Sequence, residues 1–389
     1  MGVFGVMEFE DIFKGFGDNT VMMAFGVIAI GNTLFETGCA GLIGRKIAGV
    51  KWLGNSERVF LLALMIVTAT ISAFVSNTAT VAMMLPLIAA VASESKGKIS
   101  KKNSCIAIGI ASVLGGNVTL AGSTPQIVAQ GILQKTAGAR TLTFFELSKS
   151  ALPVIITMLL YFSTIGYRLQ KRVFNFPEVP DAKKEGVIQT EVNMRKIWTS
   201  AAIFLGCILG FTSGYANFGA IAVSGACLCV ITGCITPKRL WETMDWRTIA
   251  VLGGSLGFAT GVSSSGATEM ISERLLAFVG GENIFLIGVL ILVICALASN
   301  FMSNTAITAI MTPFAISLAL RIGIDPIPLV VMTIIGSSLA FATPVSTPPM
   351  TMTLIAGYRF MDYVKVGGLL NLLVVVMAAI TIPFIYGII

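Results

Sequence analysis

Eight stretches without a charged residue follow one another along the chain, at 59–93, 103–134, 150–167, 197–237, 248–268, 283–320, 326–358 and 366–389. About 20 apolar residues suffice to cross a bilayer, so several of these are too long for one crossing. Only 12% of the 389 residues are charged and 55% are hydrophobic. The chain therefore reads as an all-α polytopic membrane protein, since only helices and closed barrels satisfy their backbone in lipid.

Composition also excludes several function classes. The opening residues, MGVFGVMEFEDIF, carry acidic rather than basic side chains before any apolar run, unlike a signal peptide. A formal net charge of +7 is read as Lys and Arg gathering in cytoplasmic loops, with no nucleic-acid partner. The seven cysteines lie in apolar segments without pairing or metal-ligand spacing. No nucleophile–base pair or metal-ligand cluster is visible, so no enzyme and no organic cofactor is expected.

Charge sets the expected topology. Arg45, Lys46, Lys51 and Arg58 precede the stretch 59–93, and Lys96, Lys98, Lys101 and Lys102 follow it. Both flanks are thus expected in the cytoplasm. As helix the stretch is about 52 Å long at 1.5 Å per residue, short of two full spans. It is expected to enter the membrane, turn inside it near Ser76 and leave on the same side.

The stretch 283–320 has its midpoint between Phe301 and Met302 and is flanked by Glu269, Glu273, Glu282 and Asp325 against Arg274 and Arg321. Counting crossings through 103–134, 150–167, 197–237 (twice) and 248–268 places this second hairpin on the opposite face. The N-terminus is then outside, and 168–196, with seven Lys and Arg besides Pro177 and Pro180, is a cytoplasmic linker. Residues 1–167 and 197–389 are expected to form two inverted repeats, each with a re-entrant hairpin (59–93; 283–320) and a discontinuous helix (103–134; 326–358), as in secondary transporters.

The repeat is visible in the residues themselves. VSNTATVAMMLP (75–86) and MSNTAITAIMTP (302–313) share seven of twelve residues, and GSTP (122–125) is answered by STPP (346–349). A single Ser-Asn-Thr run in a membrane helix can simply bond back to a carbonyl one turn earlier. Two copies, each near the middle of a stretch too long for one span and too short for two, point instead to polar tips inside the membrane. Their hydroxyls, amides and freed carbonyls suit Na⁺, while helix N-termini facing the same space favour an anion. There is no His, and no carboxylate falls at the middle of a hairpin or broken helix, which favours Na⁺ over proton coupling.

With its twin Ser-Asn-Thr motifs at 76–78 and 303–305 and the segment AFATPVSTPP (340–349), the chain resembles the divalent anion/sodium symporter family of the ion transporter superfamily, from about Phe9 to the C-terminus. The resemblance implies a transport domain of two hairpins and two broken helices, moving like an elevator against a scaffold that forms a homodimer in the cell membrane. It implies Na⁺-coupled uptake of a small divalent anion, above all a C4-dicarboxylate. Anion exchange, Na⁺/H⁺ or arsenite antiport within the same superfamily are the alternatives, and a channel is a more distant one. Carried over by position, one Na⁺ site uses Ser72, Ser76, Asn77 and the Gly122 carbonyl, and a second uses Ser299, Asn304 and backbone oxygens at Met302 and Ser346. Substrate contacts fall to Asn77, Thr78, Ser123, Asn304, Thr305 and Thr347.

Two features depart from the family. The broken helices read Ser-Thr-Pro-Gln (123–126) and Thr-Pro-Pro-Met (347–350) where the family writes Pro-Pro-Asn after the small residue, so the identity of the anion does not carry over. The chain also reads as starting one or two helices into the family's pattern.

Overall fold

The computed structural model describes residues 7–8, 11, 13–39, 56–95, 98–136, 138–178, 193–214, 216–270, 273–274 and 283–388. Arg45, Lys46, Lys51 and Lys96, used above for topology, and 179–192 of the linker lie outside them. Every regular element among the described residues is helical.

Helix α1 (Asn19–Glu36) starts at Asp18, whose side chain accepts from Thr20 N at 2.9 Å. Then come α2 (Glu57–Ser72) and α3 (Asn77–Glu94), with the chain out of helical geometry between them. The next pair is α4 (Lys101–Gly116) and α5 (Thr124–Lys135), interrupted over 117–123. After these, α6 (Ser148–Ser163) meets α7 (Ile165–Val173) at 55°. The second half opens with α8 (Met194–Ser213), α9 (Phe218–Ile231), α10 (Pro237–Thr243) and α11 (Trp246–Ser264). It continues with α12 (Ile284–Ala298) and α13 (Asn304–Ile322), then α14 (Ile327–Ser337) and α15 (Pro348–Met352), and ends in α16 (Phe360–Ile385).

The breaks have identifiable causes. Ser76 and Ser303 leave helical backbone, with ψ of 131° and 133°, and the Ser-Asn-Thr run restarts the helix behind each. Pro125 and Pro348 stand in the first turn of α5 and α15. Proline is favoured there, because the N–H it lacks has no helical partner in that turn anyway. The prolines of GSTP and STPP therefore begin helices and do not kink them.

Packing interlocks the halves. α2 and α3 both pack on α4, and α12 and α13 both pack on α14. α5 then crosses to pack on α13, while α15 packs on α3. The first of these contacts depends on glycines at matched places: a Cβ on Gly115 would collide with the Ala69 backbone of α2, and one on Gly336 would sit 2.7 Å from Leu292 O of α12. Helices held this closely bury backbone against backbone, the usual way membrane helices associate.

Among the described residues, α8, α13 and α16 are each long and apolar enough to cross a membrane, and α6 with α7 makes a fourth span if counted as one. On α16, Leu372, Val376, Ile380 and Phe384 form an exposed apolar stripe at four-residue spacing, and Trp198, Leu205 and Leu209 are exposed on α8. Surface of this kind suits hydrocarbon. The length of α13 differs from a limb that turns back at mid-membrane. The helix is mostly buried among α5, α11 and α14, so its hydropathy serves packing as much as lipid.

The start of the expected polar linker is ordered. Glu57 Oε2 accepts from Tyr167 OH at 2.7 Å and pairs with Lys171 Nζ at 3.1 Å, and Glu178 Oε1 accepts from Lys101 N at 3.0 Å. These bonds tie α7 to the start of α2, and the chain after it to the start of α4.

Candidate functional site

The four breaks converge on one cavity of about 730 Å³. Ser76, Asn77 and Thr78 line it from the first hairpin, and Met302, Ser303, Asn304 and Thr305 from the second. Gly122, Ser123 and Thr124 enter from the first broken helix, and Ser346 and Thr347 from the second. The far wall is α1, through Ala24, Val27 and Ile28, with the start of α11. Of the residues expected at a site, Ser72 and Ser299 alone are not on this lining; both are fully buried one layer behind it.

Three long helices, α3, α5 and α13, begin at the cavity with Ser76, Ser123 and Ser303, none of which caps its helix with its own side chain. The first N–H groups and the hydroxyls are thus both left for a ligand. Aligned N–H groups at a helix start carry partial positive charge, so this wall attracts anions.

Behind the first tip lies a cluster of oxygens. The Asn77 amide is 2.7 Å from Ser72 Oγ, 3.1 Å from Ser112 O and 3.2 Å from Gly122 O. With Nδ2 turned to them it donates to all three, and Ser72 Oγ donates to Ser112 O at 2.7 Å. The neutral oxygens gathered here, Ser72 Oγ and the Ser112 and Gly122 carbonyls, are of the type that suits a hard cation such as Na⁺.

The second tip is built alike but wired differently. Ser299 Oγ lies 2.9 Å from Leu339 O, to which it can donate, and Ser346 Oγ donates to Ala340 O at 2.9 Å. Asn304 Oδ1 and Thr347 Oγ1 are buried with no hydrogen-bond partner among the described residues. A stranded buried polar atom costs about 1–3 kcal/mol, which a bound cation would offset at Asn304 Oδ1 and a substrate oxygen, accepting from the hydroxyl, at Thr347 Oγ1.

Several polar contacts at and behind the site were not predicted from the motifs. Thr124 Oγ1 lies 2.7 Å from Thr305 Oγ1, and Ser338 Oγ donates to Asn117 Oδ1 at 3.0 Å. Both bonds join one half of the chain to the other. Asn300 Oδ1 accepts from Ala342 N at 3.1 Å, and Asn371 Nδ2 of α16 donates to Leu339 O at 3.2 Å. Asn371 carried a readable signal, as the one amide in the uncharged stretch 366–389. The two cross-half bonds carried none. Asp245 and Arg247 also line the cavity, so its rim is charged although its tips are neutral.

Comparison with known proteins gives a consistent picture. The sequence profile of the citrate transporter family matches residues 1–216 and 211–389. An uncharacterized transporter of Haemophilus influenzae is 30% identical, over 96% of this chain and 83% of that protein. The sodium-dependent dicarboxylate transporter SdcS of Staphylococcus saprophyticus is 25% identical, over 97% of this chain and 79% of its own. The sodium-dependent high-affinity dicarboxylate transporter 3 of Caenorhabditis elegans is 25% identical, over 85% and 68%. Among solved structures, the YdaH transporter of Alcanivorax borkumensis shares the fold at a TM-score of 0.68 and 15% identity, over 97% of this chain and 86% of that one.

Proposed function

Because this chain belongs to the citrate transporter family, within the divalent anion/sodium symporters, we propose that it couples Na⁺ entry to the uptake of a small divalent anion, above all a C4-dicarboxylate. The observation that carries this reading is the meeting of two Ser-Asn-Thr tips and two broken-helix starts around one cavity. Names of relatives that move dicarboxylates with sodium support the choice of ion and substrate class.

In this reading Ser72, Ser76, Asn77 and the Gly122 carbonyl hold one Na⁺. Ser299, Asn304 and the Met302 and Ser346 carbonyls hold another. The anion lies between them against Asn77, Thr78, Ser123, Asn304, Thr305 and Thr347. Each Na⁺ organises the Asn amide beside it, which then offers its other edge to a carboxylate. Ion and anion binding are coupled through that shared side chain.

The two repeats, 1–167 and 197–389, carry hairpins that move together as an elevator past α1 and the other wall helices, in a homodimer of the cell membrane. Their N-terminus is outside and the 168–196 linker cytoplasmic. Labelled succinate uptake into proteoliposomes tests the proposal. Uptake is expected to require an inward Na⁺ gradient and to be inhibited by competing dicarboxylates. Absence of Na⁺-driven uptake for every dicarboxylate, citrate and sulfate tried would sink it, and counterflow without Na⁺, or dependence on a pH gradient, would replace it with exchange or antiport.

Thr124→Val tests the bond between halves. It removes the partner of Thr305 Oγ1 at 2.7 Å without emptying space. The KM for succinate is expected to rise by about three- to tenfold, the worth of one neutral hydrogen bond, with the half-saturating Na⁺ concentration unchanged.

A further inference from the structure

Two charged side chains line the cavity, and both stand at the start of α11, opposite the polar tips. Asp245 is committed to its helix: Oδ1 accepts from Thr248 N at 3.0 Å and Oδ2 from Thr248 Oγ1 at 2.6 Å. Arg247, two residues on, has no ion pair and no hydrogen bond among the described residues, and its side chain is exposed at the rim. Three other arginines are neutralised by carboxylates: Arg239 bonds Glu36 at 2.8 Å, Arg140 bonds Asp325 at 3.1 Å, and Arg321 bonds Glu273 at 3.0 Å. What sets Arg247 apart is its place: it is the arginine that lines the cavity, and it does so without a partner among the described residues.

The opposite wall offers hydroxyls, amides and helix starts, which together suit one anionic end of a small solute. A cavity of about 730 Å³ holds more than that end. Whatever second charge the solute carries must lie toward α1 and α11. There α1 contributes only Ala24, Val27 and Ile28, and Asp245 has both oxygens occupied. A planar guanidinium with paired N–H groups is the group best shaped to take a carboxylate or sulfate oxygen pair.

We propose that Arg247 is the charge-selecting residue of this site: it receives the anionic end that points away from the tips, so that dianions are bound in preference to monoanions of the same size. This inference rests on the cavity being an anion site, and it goes beyond that reading by naming what distinguishes two charges from one.

The test is an equilibrium titration of the purified full chain in Na⁺. The intrinsic fluorescence of Trp246, adjacent to Arg247 and 4.2 Å from the ring of Trp241, serves as reporter. Succinate, sulfate and butyrate are the probes, at a pH where every acid group is ionised. The wild type is expected to bind succinate more tightly than butyrate. In Arg247→Gln the succinate affinity is expected to fall by about tenfold or more while butyrate is unaffected, and Arg247→Lys, which keeps charge but loses the fork, should lie between. Sulfate falling in parallel with succinate assigns the residue to dianions generally; sulfate unaffected confines it to carboxylates.

An unchanged succinate-to-butyrate ratio in Arg247→Gln overturns the proposal, as does a wild type with no preference for the dianion. Because binding is read without a gradient, the two ideas fail separately. A chain that selects dianions through Arg247 but shows no Na⁺-driven uptake loses the symport and keeps this inference. One with Na⁺-driven uptake and an unaltered ratio in the variant does the reverse.

Discussion

Asn77→Ala is expected to abolish Na⁺-driven uptake and to remove one increment of the stabilisation that Na⁺ gives the protein against heat. The amide touches three oxygens behind the first tip, at 2.7, 3.1 and 3.2 Å, and begins α3. Alanine can neither donate to those oxygens nor complete a cation set with them. A ligand that binds only the folded state stabilises by about 2.7 kcal/mol per site when it is 100-fold above its Kd, so each Na⁺ site should register as its own shift in melting temperature. Asn304→Ala should remove the other increment, since Asn304 Oδ1 is the stranded acceptor of the second tip. The double variant should melt at the same temperature in Na⁺ and in choline. If either single variant kept the full Na⁺ shift, that asparagine would not be a ligand.

Gly116→Ala should do comparable damage from a position that touches no solute. A Cβ there would fall inside the Asn77 amide, which packs directly on the glycine at the end of α4. Overpacking of this sort costs about 1–3 kcal/mol, and the side chain displaced is the one the Na⁺ site depends on. The cause is separable from ordinary backbone damage by a double-mutant cycle. In the Asn77→Ala background the space is already open, so Gly116→Ala should then cost almost nothing in melting temperature. A penalty of the same size in both backgrounds would show that Gly116 serves the helix and not the amide.

The sequence made the interruptions legible because they conflict with their surroundings. Ser-Asn-Thr near the middle of 35 uncharged residues has no ordinary role in a spanning helix, and basic residues on both flanks predict a chain that turns back on itself. The helix starts at Thr124 and Pro348 follow from the local rule for proline in a first helical turn. The contacts between halves were not legible. Thr124 meets Thr305 across 181 positions and Asn117 meets Ser338 across 221, and no local pattern encodes either distance. Arg247 was hidden for a different reason: in a membrane protein every loop arginine already has an explanation in topology. The burial of Ser72 and Ser299 behind the lining depends on how α2 and α12 pack on α4 and α14, which periodicity cannot reveal.

The central claim is that the two tips enclose one pocket that takes ion and solute together. Its most direct test is protection of single cysteines, Thr78→Cys and Thr305→Cys, each in a chain whose seven native cysteines are replaced, against a small thiol reagent. Succinate with Na⁺ is expected to slow labelling at both positions, and succinate with choline at neither. Protection at one position only, or protection independent of Na⁺, would contradict a shared site.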